Sequence, residues 1–400
     1  MLYDILIVGA GASGLAAAIS AKRANRNLNI AAVEALPRVG KKLLATGNGR
    51  CNLSNLNAKP KDYSYPKFTE YALSVYSPKK IIDFFYSIGL MCVADNEGRI
   101  YPMSNTAVSV LDALRFEAER IGVEFVCEKH IENISRSGNG FLIGDCFAKE
   151  VILCTGGCAA PAQGSDGSGF GLLKGLGHHV TDLYPGLVQL TTKENTKSIK
   201  GIRTKAHVTL YKNNRVVNKS KGEVLFTDYG LSGISIMDIS RTVKTGKYNC
   251  SIDVVPSCNN AQIENFIHSL SGDTPVENAI SGMVPKKLGQ FILKRADITP
   301  QRAVGKIKRN EIIDIYDNLK NLTFEISGTM GFKNAQITVG GAEINEFDSY
   351  TMESKLIKGL FCAGEILNID SICGGFNLQW AWASGLLAGK CAAKALTDKR

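Results

Sequence analysis

The sequence predicts an α/β fold built on a parallel sheet and interrupted by an inserted domain. Three observations carry this. An apolar run, Tyr3 to Val8, leads straight into Gly9-Ala10-Gly11-Ala12-Ser13-Gly14. A second apolar run, Leu28 to Val33, ends at Glu34, 20 residues beyond Gly14. After Pro185 the texture turns lysine-rich and irregular, and it reverts near Ala335.

The bulk properties agree. Of 400 residues, 44% are hydrophobic and 21% charged, which excludes general disorder and suits two or three globular domains. Forty glycines point to tight turns and close backbone approaches. Eleven scattered cysteines read as reduced thiols of a cytoplasmic protein. Met1-Leu2-Tyr3-Asp4 lacks the basic start of a secretion signal. Ser371 to Gly389 is uncharged but carries Gly374, Gly375, Asn377 and Gln379, so it suits a glycine turn and a buried helix rather than a membrane span. The His178–His179 pair has no Cys or carboxylate pattern beside it, and no metal site is expected. The net charge of +10 fits a solvated basic surface or an anionic ligand.

Tyr3 to Val8 reads as a buried strand, Leu15 to Lys22 as an alanine-rich helix and Leu28 to Val33 as a second strand. Glycine spacing, strand before, helix after and acid beyond together form a dinucleotide-binding unit. Gly9 makes the turn, Gly11 lets the backbone approach a pyrophosphate, and Gly14 lets helix pack on strand. Glu34 accepts from the ribose hydroxyls and repels a 2′-phosphate, favouring FAD or NAD over NADP.

Arg38, Lys41 and Lys42 follow, then the loop Thr46-Gly47-Asn48-Gly49-Arg50-Cys51-Asn52, irregular in form and able to lay its main chain on a flat ring. Lys79–Ser87 and Val108–Ile121 read as amphipathic helices. Gly122–Val126 reads as a strand, and Ile131–Ser135 with Phe141–Gly144 as a hairpin. Val151–Cys154 is a buried strand closed by Thr155-Gly156-Gly157, and Gly164 to Gly169 opens the helix Phe170–Leu176.

The insert reads as residues 190–329, between parts 1–189 and 330–400 of the first domain. Its strands are Lys205–Lys212, Arg215–Val217 across an Asn213-Asn214 turn, Glu223–Thr227 and Cys250–Val255. Asn260–Leu270 and Lys286–Arg295 look helical. The nucleotide-domain texture returns in Ala335 to Gly341, Gly359 to Glu365, and Cys373 to Ala381 with its helix to about Leu396.

Val8 to Gly14, Glu34, the Thr46-to-Asn52 loop, Thr155-Gly156-Gly157, Gly364-Glu365 and Gly374 to Gln379 resemble, in order, the motifs of the BaiN/YhiN-type bacterial flavoproteins, also called aminoacetone oxidase-like or NAD(P)/FAD-dependent oxidoreductases. Glu223 to Thr227 and Thr351 to Lys355 resemble further family blocks, so nearly the whole chain is covered. The resemblance implies an FAD-binding Rossmann-type fold of the glutathione reductase kind, with an inserted domain holding a β-barrel and a small helical part. It implies FAD as cofactor. Asn368 stands where many members have Asp, and Asp370-Ser371 replaces a common Asp-Gly, which bears on substrate choice.

The expected cofactor contacts are Gly9, Gly11, Ala12, Ser13, Gly14 and Glu34, with Arg38, Lys42, Gly47, Asn48, Gly49, Arg50, Cys51 and Asn52. To these are added Val126, Thr155, Gly156, Gly157 and Asp166, then Gly364, Glu365, Gly374, Gly375, Phe376, Asn377 and Leu378. The helix starting near Asn377 is expected to turn its positive end to the flavin. Cys51 stands alone in its loop, so a thiol–disulfide relay is not expected; it is either a reactive thiol beside the flavin or a buried bystander. No catalytic acid or base is named.

The expected function is an FAD-dependent oxidoreductase passing hydride through flavin N5 to or from a small molecule. The alternatives are a flavoprotein acting on RNA, as in tRNA modification, and a non-catalytic redox sensor. Nucleic acid is not an expected partner, because the insert shows no aromatic-basic stripe. No second Gly-x-Gly-x-x-Gly lies between Pro185 and Met330, so NAD(P)H is expected only as a transient donor. The insert is expected to roof the active site.

Overall fold

The computed structural model describes residues 1–397, which fold as two compact units: Met1–Tyr184 with the chain from Gln336 onward, and Pro185–Ala335.

In the first unit the strand Leu2–Val8 lies inside a seven-stranded sheet. It pairs in parallel with Ile30–Val33, Ile5 opposite Ile30 and Val8 opposite Val33. Glu124–Val126 adds in parallel beyond that strand. Ile5, Leu6 and Ile7 are fully buried, as unbroken apolar strands are when both sheet faces are covered.

The other neighbour of Leu2–Val8 is Cys146–Leu153, also parallel, with Val8 opposite Leu153. That strand has two partners on its far side. Its first half pairs antiparallel with Gly140–Ile143 and its second half parallel with Leu360–Cys362. The sequence shows only its apolar end, Val151 to Cys154, because Lys149 and Glu150 break the run. The hairpin forms, but its first strand is Ile134–Ser137 rather than Ile131–Ser135, with Ser137 opposite Gly140.

The first helix, Ala12–Ala24, and the C-terminal helix, Phe376–Thr397, touch backbone to backbone. A Cβ at Gly385 or Gly389 would strike the Ser13 or Ala17 carbonyl. The uncharged stretch is thus a buried helix, and no helix of the described residues is long and apolar enough to cross a membrane. A small antiparallel sheet of Ser54–Asn55, Arg99–Pro102 and Cys92–Ala94 was not expected from the sequence, nor was the helix Pro66–Val75. Its strands are too short to show a period.

The second unit is a closed barrel in the order Leu190–Thr192, Gly230–Ser232, Arg215–Phe226, Arg203–Lys212, Tyr248–Asp253 and Leu322–Thr329, the last returning to the first. Arg215–Val217 and Glu223–Thr227, expected as separate strands, are the ends of one 12-residue strand, Arg215–Phe226. Polar residues between them hide the continuity. Asn213 and Asn214 both take positive φ, 49° and 60°, as a tight two-residue hairpin requires. Helices Asn260–His268, Val276–Ser281, Lys286–Arg295 and Arg309–Lys320 share the barrel's apolar core.

Candidate cofactor site

The glycine loop follows the first strand as its spacing requires. Gly9 has φ +96°, and a Cβ there would sit 2.6 Å from the Cys154 carbonyl oxygen. A Cβ on Gly14 would strike the Gly9 carbonyl oxygen. At Gly11 a Cβ would meet nothing within 4 Å. The loop is therefore packed at both ends and open in the middle. Gly11 also precedes the first turn of the first helix, and no side chain caps it. Such a helix start presents free N–H groups and a partial positive charge, with Ala12 and Ser13 in its first turn.

Glu34 ends the second strand and turns back to this loop. Its Oε2 accepts from Ala10 N at 3.1 Å and its Oε1 from Leu36 N at 3.0 Å. Glu34 N donates to the Val126 carbonyl at 2.9 Å, which places Val126 beside it.

Lys42 and Glu365, far apart in sequence, form a half-buried ion pair at 2.8 Å. Glu365 Oε1 also accepts from Thr338 N at 2.7 Å. Thr338 Oγ1 accepts from Cys158 N at 2.7 Å, and Ser165 Oγ from Gly157 N at 3.1 Å. Gly364 abuts Ser13, since a Cβ there would lie 2.5 Å from Ser13 Oγ. Thus Gly9 to Gly14, Thr155 to Gly157 and Gly364-Glu365 converge. Thr338 and Ser165 were missed as members; the only sequence signal was their position inside glycine-rich segments.

The Thr46–Asn52 loop meets the C-terminal turn. Gly47 and Asn48 take left-handed φ of 57° and 56°, so the loop is irregular as expected. Gly375, φ +97°, lies against Ser54, and a Cβ there would sit 2.7 Å from Asn52 Oδ1. Clasps surround this contact. Asn55 Nδ2 donates to the Gly374 carbonyl at 3.0 Å, Tyr63 Oη to the Phe376 carbonyl at 2.9 Å, and Trp382 Nε1 to the Leu53 carbonyl at 2.9 Å. Asn377 spends its side chain on its own turn, accepting from Ser371 N at 2.9 Å. Leu378 packs on the apolar core.

Other predicted residues lie at the surface. Arg38, Asn48, Gly49 and Arg50 are exposed, and the Arg50 guanidinium lies 4.9 Å from the Tyr101 ring centroid. Asp166 is exposed and accepts from Ser168 N and Oγ. Cys51 is fully buried, and burial pushes its thiol up to about 12. Of the two readings of Cys51, the structure supports the bystander. Cys154 is likewise buried, its thiol pushed to about 12.

A family profile described as HI0933-like protein Rossmann domain matches residues 3–391. The chain belongs to the HI0933-like family. The family read from the motifs is borne out, and so is the Rossmann-type fold with its inserted barrel. With the family come its cofactor, FAD, and its class, the oxidoreductases. The chain is 36% identical, over 97% of its length and 98% of the relative's, to a Clostridium scindens protein named 3-dehydro-bile acid delta(4,6)-reductase. It is 26% identical, over 99% of both chains, to an Escherichia coli protein named ribosomal RNA dihydrouridine synthase. A solved 3-ketosteroid delta1-dehydrogenase from Sterolibacterium denitrificans has the same fold, with a TM-score of 0.52 at 13% identity, covering 98% of this chain and 100% of that one.

One block of this HI0933-like chain, Thr351 to Lys355, has a structural use. Ser354 Oγ lies 3.0 Å from His178 Nε2, and His178 Nδ1 lies 2.7 Å from Glu346 Oε2. His179 Nδ1 reaches the other Glu346 oxygen at 2.5 Å. The His pair does have a carboxylate partner, 167 residues away from His179 in sequence. The Ser–His–Glu order matches a hydrolase triad only on paper. Ser354 and His178 are buried, and Ser354 Oγ accepts from Leu356 N and Ile357 N. Among the described residues no group of three His, Cys, Asp or Glu side chains is placed so that it could hold a metal ion.

Proposed function

We propose that this chain is an FAD-dependent reductase that saturates a carbon–carbon double bond conjugated with a carbonyl, in a small-molecule substrate. The observation that carries the cofactor part of the reading is the open ground over Gly11, at an uncapped helix start, with Glu34 beside it and Glu365 nearby. The residues fit FAD. Thr155 Oγ1 and Asn52 Oδ1 are buried oxygens with no hydrogen-bond partner among the described residues. Leaving such groups unsatisfied costs about 1–3 kcal/mol each, a reason to expect a ligand there.

When bound, FAD supplies hydride transfer through flavin N5. The protein binds and orients it. N–H groups from Gly11 to Ser13 receive the pyrophosphate, and Glu34 accepts from the adenosine ribose. Lys42 and Glu365 border the same ground as a neutralised pair, and Asn52 with Gly375 forms a second, separate edge. The substrate would gain that hydride at the carbon β to its carbonyl and a proton, from solvent, at the α carbon.

The names of the two relatives support this chemistry. A 3-dehydro-bile acid delta(4,6)-reductase and a dihydrouridine synthase each hydrogenate a double bond conjugated with a carbonyl. The small-molecule reading follows the 36% relative. A second reading, a uridine in RNA as substrate, is favoured by the name of the 26% relative and the net charge of +10. With no second nucleotide fingerprint, NAD(P)H docks transiently. An anaerobic screen tests the proposal: donors are read by flavin bleaching, then enone acceptors by the return of colour. A protein that takes up FAD but is reoxidised by no conjugated enone and no uridine would defeat it.

A further inference from the structure

The barrel of the second unit carries a basic wall that the cofactor chemistry does not use. From Asn195 to Gly222 the chain has eight Lys or Arg and no Asp or Glu. In sequence these charges look scattered. The hairpin of Arg203–Lys212 and Arg215–Phe226 gathers them. His207 pairs across the strands with Lys221, Thr209 with Lys219, and Lys205 with Glu223. Alternation then sets Arg203, Lys205, His207, Lys219 and Lys221 on one outward face, and all five are exposed. The opposite face, with Ala206, Val208, Leu210 and Val224, is buried in the barrel core.

Most of this charge is uncompensated. Arg203 pairs with Glu223 at 2.5 Å. Lys205, Lys219 and Lys221 have no carboxylate at ion-pair distance among the described residues. Lys219 and Lys221 lie two residues apart on one strand, and His207, opposite Lys221 on one side, stands opposite Asp253 on the other. Such a row is explained by a partner of opposite charge. Residues i and i+2 of a strand lie about 7 Å apart, a spacing comparable with successive phosphates of a nucleic-acid strand.

We propose that this barrel face docks RNA through its phosphate backbone. The inference rests on the second reading above, in which a uridine of RNA is the substrate. It assigns the wall to affinity and leaves base choice to the cofactor site, since phosphate contacts hold a nucleic acid without reading sequence. An aromatic-basic stripe is then unnecessary, because the RNA is held as a charged backbone rather than by stacking.

The test uses FAD-loaded full-length protein and deproteinised large-subunit ribosomal RNA. Filter binding is measured from about 50 to 200 mM salt, the range over which phosphate contacts dominate. The variants are the triple Lys205→Glu/Lys219→Glu/Lys221→Glu and the milder triple Lys→Gln at the same positions, each checked for unchanged FAD content. The wild type should bind, and the plot of log affinity against log salt should become shallower by about 2–3 in the variants, roughly one per lysine. Affinity at the lower salt should fall at least tenfold. Wild-type binding with unchanged affinity and slope in both variants would overturn the docking face and leave the RNA reading standing. No wild-type binding even at low salt would overturn both. Lysine-dependent binding to phosphatidylglycerol vesicles but not to RNA would replace the partner and refute the proposal.

Discussion

Lys42 Nζ lies 2.8 Å from Glu365 Oε2, an ion pair spanning 323 residues of sequence. It ties the segment after the second strand to the turn after the last strand. Both side chains are about a quarter exposed or less. Lys42→Met would leave Glu365 without its cation in a half-buried setting. We expect a loss of about 1–2 kcal/mol in stability, discounted for solvent access, and weaker FAD retention. Thermal unfolding of the apo form and FAD titration check this; unchanged values in both would show the pair to be incidental.

The glycine loop makes a paired prediction. Gly11→Val should leave the apo fold near wild-type stability, because its Cβ points into open space and its φ of −81° suits any residue. FAD retention should be lost. Gly14→Ala should do the opposite first, losing about 1–3 kcal/mol by pressing on the Gly9 carbonyl. Comparing apo melting curves with flavin content separates the two, and FAD bound normally by Gly11→Val would place the cofactor elsewhere.

Burial pushes the Glu346 carboxyl up, but hydrogen bonds with His179 and His178 outweigh it and hold it below its ordinary 4.5. A carboxylate so held stabilises the fold above its unfolded value and loses that contribution as pH falls through the folded one. Glu346→Gln should therefore be less stable than wild type by about 1–3 kcal/mol near neutral pH. The gap should begin to close as pH falls below the ordinary carboxylate value of 4.5 and go on closing through the lower folded one. Urea melts at several pH values measure it; a gap constant down to pH 3 contradicts the assignment.

Cys51 should be inert in the native state. Its thiol is buried and pushed to about 12. Cys51→Ala should keep the rate of flavin reduction, and alkylation of Cys51 in native protein should be negligible over hours, as peptide mapping would reveal. Rapid alkylation would restore it as a reactive thiol.

The sequence makes some of this plain and hides the rest for physical reasons. Glycine spacing with flanking apolar runs identifies the loop at Gly9 to Gly14, because backbone geometry there admits little else. Long-range side-chain contacts leave no local pattern. Nothing around Lys42 names Glu365, and nothing around His178 names Glu346. Cys51 could be placed in a loop but its burial could not, since burial depends on packing with residues distant in sequence, Cys92 among them. The barrel wall was hidden in the same way: its lysines sit on two strands and become one face only through register.

Hydride delivery to a conjugated double bond by the FAD holoenzyme can be observed directly. The most direct measurement reduces that holoenzyme anaerobically, mixes it in a stopped-flow instrument with a 3-oxo-delta-4 steroid or with uridine-containing ribosomal RNA, and follows flavin colour and product. Saturable reoxidation by at least one of the two is expected, with the double bond reduced in equal amount to flavin reoxidised. Reduced flavin that stays bleached with both, and recovers only when oxygen is admitted, would contradict it.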